Sequence, residues 1–210
     1  MYRRLLPLSA VAMLAAAVVS CGPDDAFVGS WTASAPVSMQ ADIPAASSAS
    51  ALISLDFTQE DGGNGVYLSA LINASQPVSM TDSVTGVYSP YEASVAATAG
   101  VRGTWTRSGD DDLLLAFDLS SLRVEVDPAG VMFTQNMISG VQQPAVDSLT
   151  VRTAAIWQRQ IERAVRGSLM RYSKLEDVEV DRDRTTLQFE VKNAAGRDVD
   201  MVMHRVINGD

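Results

Sequence analysis

SLTVRTAAIWQRQIERAVRGSLMR, residues 148–171, is the one stretch that reads as neither strand nor turn. Ala154, Trp157, Ile161, Val165 and Leu169 recur at spacings of three and four, which predicts an α-helix with these residues on its buried face. Arg159, Arg163 and Arg166 fall on the other side and form the candidate interaction face. Asp147, Ser148 and Thr150 each suit the N-cap, and Gly167 weakens the last turn. Short alternating runs fill the chain before the helix, and three more follow it. One helix among many strands predicts a mainly β, antiparallel barrel or sandwich with the helix laid against it. A parallel sheet would need several crossover helices, and the pattern supplies none.

Working back from the helix, residues 27–33 read as a first strand centred on Trp31, and 34–50 as a loop broken by Pro36 and Pro44. Ile53, Leu55 and Phe57 share a face of a strand over 52–60. The glycine-rich turn 61–65 returns it as 66–74, a hairpin that Pro77 is expected to end. Residues 84–88 and 91–97 are shorter strands divided by Pro90, and 101–107 is a separate strand containing Trp105. Strands at 113–119, 122–126 and 131–135 follow, divided by the turns at 108–112 and 127–130. Beyond the helix come strands 175–180, 186–191 and 199–206, with 181–184 as an exposed hairpin tip. The last of these is partly apolar on both sides, as a central or closing strand would be.

The first 20 residues lie outside this pattern. Arg3 and Arg4 precede an apolar run over 5–19, the make-up of an export signal. The string Val18-Val19-Ser20-Cys21 resembles the lipobox of bacterial lipoproteins, a family in which the signal is cut before a cysteine that then carries acyl chains. On that resemblance residues 1–20 are the signal peptide, Cys21 is lipidated, 21–26 are a tether and 27–210 are a single domain. Cys21 is the chain's only cysteine, so an intramolecular disulfide is excluded. Asp24 and Asp25, close behind it, resemble the surface-export signals of Bacteroidetes lipoproteins. The expected address is the outer membrane, lipid-anchored, on its periplasmic or cell-surface face.

Cleavage would remove two arginines and no acid, taking the formal charge from -9 to -11. Such acidity excludes nucleic acid as a partner, because backbone binding needs clustered Lys and Arg. The charge is unevenly spread. Residues 21–151 hold three basic and fifteen acidic side chains, whereas 152–174 hold six basic and one acidic. The helix arginines are expected to meet the protein's own acidic strands, with an acidic partner or lipid headgroups as the other readings.

Gly29-Ser30-Trp31 resembles the opening of lipocalin-like domains in small bacterial lipoproteins. The resemblance implies a lipocalin-like β-barrel with Trp31 packed across its closed end and one late helix against its wall. Three strands after the helix are more than the usual lipocalin has. Gly103-Thr104-Trp105 repeats the spacing, and core packing is the reading for both Trp31 and Trp105.

No motif carries catalysis. His204 is the sole histidine and has no nucleophile beside it in sequence. Asp110, Asp111 and Asp112 could join a calcium site but lack the spacing of a calcium loop, so a solvated turn is expected. Phosphate loops and zinc spacings are missing, so no cofactor or metal is called for. The expected job is non-covalent binding of a small apolar ligand at the envelope, in a cavity lined by Leu55, Phe57, Tyr67, Leu115, Phe117 and Phe189. The alternatives are a structural or interaction subunit of an outer-membrane assembly, docking an envelope protein, and an envelope hydrolase whose carboxylates come from distant strands.

Overall fold

A computed structural model describes residues 26–60, 63–81, 88–135, 141–142 and 148–207. The signal segment, Cys21, Asp24, Asp25, Asp147 and the 84–87 part of one expected strand lie outside the described residues. The strands are β1 (Gly29–Ala33), β2 (Val37–Ser38), β3 (Ser48–Glu60), β4 (Gly63–Thr81), β5 (Tyr88–Ser108), β6 (Asp112–Phe117), β7 (Arg123–Val126), β8 (Met132–Gln135) and β9 (Val141–Gln142). Helix α1 (Ser148–Ser168) and a 3-10 turn (Leu169–Tyr172) follow, then β10 (Lys174–Val180), β11 (Thr186–Lys192) and β12 (Asp198–Arg205). Among the described residues, no helix is long and apolar enough to cross a membrane.

Eight strands close into an antiparallel ring in the order β1, β3, β4, β5, β6, β10, β11, β12 and back to β1. Closure removes the free edges that a sandwich would leave. The fold is lipocalin-like, with the late helix between the fifth and sixth ring strands. Of the central or closing positions open to it, β12 takes the closing one, with Trp31 opposite Arg205 across the seam.

Two prolines behave differently from expectation. β4 runs through Pro77 to Thr81, and β5 runs unbroken from Tyr88 through Pro90 to Ser108, merging what read as separate strands. Proline costs a ladder hydrogen bond only where a neighbour needs its N–H. β3 ends at Ser48, opposite Ser75, and β8 reaches only as far as Tyr91. Both prolines therefore sit on an arm of the β4–β5 hairpin that projects past its other neighbours among the described residues. The loop expected over 34–50 also holds β2 and the first residues of β3.

β6, β7 and β8 are three pieces of one interrupted strand along the other edge of β5. Each interruption is the same device, repeated nine residues on. Asp118 Oδ1 accepts from the Ser120 N–H at 2.9 Å, and Asp127 Oδ1 accepts from the Ala129 N–H at 2.9 Å. Each aspartate opens a 3-10 turn that ends by burying an apolar residue, Leu122 in one and Val131 in the other. These excursions let the short segments follow β5 while it curves.

The interior has two tiers. Around the seam it is filled by Trp31, Leu55, Phe57, Trp105, Leu113, Leu175, Leu187 and Met203. Towards the projecting arm the inward positions become small: Ala49, Ala51, Ala70, Ala74, Ala93, Ala97 and Ala99 are all buried. Here α1 packs on β5, β7 and the Pro128–Gly130 turn. Small side chains let helix and sheet approach closely, and Ala154, Trp157, Ile161, Val165 and Leu169 fill the gap as their spacing predicts.

Candidate functional site

The lumen follows from strand alternation. Leu55, Phe57, Leu115 and Phe189 all point inward and are buried, and Phe117 is partly buried against the same core. Tyr67 does not join them. It is 44% exposed, because the inward positions of β4 are its even-numbered neighbours Val66 and Leu68. Its ring instead covers Gly100 on the outer face, occupying the space a Cβ there would need.

The inward residues pack into one buried cluster. Phe57 and Trp105 stack edge to face, centroids 6.2 Å apart at 87°. The Trp105 indole N–H donates to the Thr58 carbonyl at 3.2 Å, and that of Trp31 to the Phe27 carbonyl at 3.0 Å. Both tryptophans are fully buried. Arg205 lies across the Trp31 ring at 4.3 Å and closes that end by donating to the carbonyls of Val28, Ala26 and Arg184. Gly29, at φ +129°, makes room for it, since a Cβ there would collide with the Arg205 guanidinium.

Free apolar space remains where α1 leaves the barrel. A cleft of about 40 Å³ lies between Ile53, Leu68 and Ile72 on the sheet side and Val165 and Leu169 on the helix side. Arg171 and Asp42 stand at its rim, joined by two parallel hydrogen bonds of 2.9 and 2.7 Å. Tyr172 lies beside them, and burial pushes its hydroxyl up to about 12, so it remains a neutral group. Sequence reading passed over Asp42, Arg171 and Tyr172, because the partners are 129 residues apart.

No family model, curated protein or solved structure matches the chain. Its surfaces must therefore speak for themselves.

The helix arginines are exposed, and among the described residues they do not meet the acids of the strands. Arg166 pairs with Glu162 of its own helix at 2.9 Å, and the Arg163 Nε–H donates to the Arg159 carbonyl at 3.2 Å. Three acids of the strands are answered by lysines nearby: Lys174 bridges Asp112 and Glu176, and Lys192 bridges Asp198 and Glu176. Among the described residues the expected internal neutralisation is not seen, because α1 turns its arginines away from the sheet it covers.

Asp110 and Asp111 lie exposed on the turn before β6, and His204 is exposed on β12. Among the described residues, no cluster of His, Cys, Asp or Glu is arranged to hold a metal ion. Asp181 is engaged as a turn organiser, accepting from the N–H groups of Thr185 and Thr186, which holds its carboxyl below the usual range.

Proposed function

We propose that this chain is an exported, lipid-anchored protein of the bacterial outer membrane whose barrel is a solid scaffold for docking another protein. The packed lumen carries this reading. Pockets for small molecules are enclosed and commonly measure about 300 Å³ or more; the apolar cleft beside α1 offers about 40 Å³, and the roomier clefts, of about 280 to 580 Å³, lie open along the outer faces of β3, β4 and β5. A filled core with an exposed, charged helix favours recognition at the surface. The anchor reading draws on the Val18–Cys21 string and the basic, then apolar, segment before it. More than one acyl chain would hold the domain stably at the bilayer, on its periplasmic or surface face.

A second reading, capture of a small apolar ligand, is favoured by one observation. The cleft joins apolar walls to a guanidinium and a neutral hydroxyl, Arg171 and Tyr172, which suits the end of an apolar chain bearing an acidic head. It would require α1 to move outward.

Native mass spectrometry of the protein purified from its own host distinguishes the two. A bare mass, unchanged after denaturing extraction apart from the anchor, is expected. A reproducible non-covalent adduct lost on extraction would replace the scaffold reading with the carrier one. The anchor is tested separately: Cys21→Ala should abolish labelling by a radioactive fatty acid and release the chain from the membrane fraction.

A further inference from the structure

The outward face of α1 and its 3-10 extension carries Arg152, Ile156, Arg159, Arg163, Arg166 and Met170, at alternating intervals of four and three. That spacing makes one stripe along the helix. Among the described residues, Arg152, Arg159 and Arg163 have no ion-pair partner, and Met170, 79% exposed, ends the stripe.

A matching feature lies on the outer face of β10–β12. Glu176 is in register with Glu190, and Glu190 with Asp200, so three carboxylates form a row across three strands. Asp177 and Asp198 stand near it. Burial first, and then the charges of Asp177, Asp200, Asp198 and Glu176, hold the Glu190 carboxyl above its usual range. Lys174 and Lys192 answer Glu176 and Asp198, but among the described residues Glu190 and Asp200 face no cation. Like charges directly opposite one another weaken a sheet, and nothing in the barrel's packing requires them here.

The two features also match in length. Arg159 to Arg166 spans about 10 Å of helix, and two interstrand spacings give the carboxylate row about 10 Å. They do not touch within one molecule. We propose that the arginine stripe of α1 docks on the Glu176, Glu190 and Asp200 row of a second copy of this chain. The proposal deepens the scaffold reading and rests on it, naming the partner as the protein itself. An anionic bilayer is the rival surface for the arginines. The chain's formal charge of -9 opposes that contact, and a bilayer would leave Glu190 and Asp200 of the acidic row unanswered.

Charge exchange tests it. The full-length chain in mild detergent is examined by sedimentation velocity at about 50 and about 500 mM salt, where screening differs several-fold. Self-association at low salt that weakens at high salt is expected. Arg159→Glu/Arg163→Glu and Glu190→Lys/Asp200→Lys should each lower the associated fraction at least about tenfold, and mixing the two variants should restore association. Circular dichroism melts of both variants confirm that the fold is kept. Association untouched by either reversal, or a monomer at every concentration, would overturn the proposal, as would binding to phosphatidylglycerol vesicles without self-association. A monomer with a bare native mass would leave the scaffold reading standing, with a different protein as the partner.

Discussion

The guanidinium of Arg205 lies 4.3 Å from the centre of the Trp31 ring, and the two residues face each other across the seam where β12 meets β1. This contact joins the first strand of the barrel to the last. It also ties down the chain leading into β1, through the carbonyls of Ala26 and Val28. Trp31→Ala should destabilise the protein by about 3–5 kcal/mol, the usual cost of emptying a large aromatic site. Gly29→Ala should also destabilise it, and Gly29→Ala combined with Arg205→Ala should cost less than the sum of the two. Urea unfolding of the four proteins measures that coupling, and strict additivity would refute the steric role assigned to Gly29.

Gly100 and Gly103 stand on the same strand but should differ in what they tolerate. A Cβ at Gly103 would lie 2.5 Å from the Ala116 carbonyl oxygen and 3.0 Å from the Phe117 Cα, both backbone atoms that cannot yield. At Gly100 the obstacle is the end of the exposed Tyr67 side chain, which can swing outward. Gly103→Ala is therefore expected to cost about 1–3 kcal/mol, and Gly100→Ala less than about 1 kcal/mol. Equal losses in thermal or urea unfolding would contradict this.

Tyr172 gives the fold an alkaline limit. Its hydroxyl titrates near 12 when folded, against an ordinary value of 10.0. Between these values the unfolded chain has released this proton and the folded one has not. Stability must then fall as pH rises through that window, by roughly 2–3 kcal/mol in total. Tyr172→Phe should flatten this part of the stability profile. At neutral pH, Asp42→Asn should cost about 2 kcal/mol by leaving Arg171 half-buried beside an uncharged partner.

The alanine tier sets the distance between α1 and the sheet. Ala97→Leu is expected to cost about 1–3 kcal/mol by forcing the helix outward. Ile161→Ala, which empties the opposite wall of the contact, should cost about 2–5 kcal/mol. Amide exchange in α1 should accelerate in both variants before it does in β11. Uniform acceleration through the barrel would mean that the helix is not a separable layer.

Glu190 provides an acid-side test. Its carboxyl is held above the ordinary range, so over the window above the unfolded value the folded chain binds the proton more tightly. Stability therefore declines as pH rises through that window. Glu190→Gln should melt higher than the parent at neutral pH and lose this advantage in acid. A lower melting temperature at neutral pH would show that the row is internally compensated.

Periodicity by itself determined the helix, its buried face and most of the strands. Each of those signals arises within a few residues, from one face being wet and the other dry. It also placed Leu55, Phe57, Leu115 and Phe189 inside, and the nine-residue repeat at Asp118 and Asp127 was there to be read. What only the tertiary structure decided depends on neighbours. Whether Pro77 and Pro90 end a strand turns on whether another strand needs their N–H groups, and among the described residues none does. Tyr67 faces outward because the register of the long β4–β5 pairing sets its parity. Whether the lumen is hollow depends on how large side chains from eight strands interlock, a volume that no single stretch of sequence contains. The Trp31–Arg205 contact arises only when β12 meets β1 and the ring closes, and the Asp42–Arg171 contact only when the turn after α1 comes to lie beside the loop between β2 and β3.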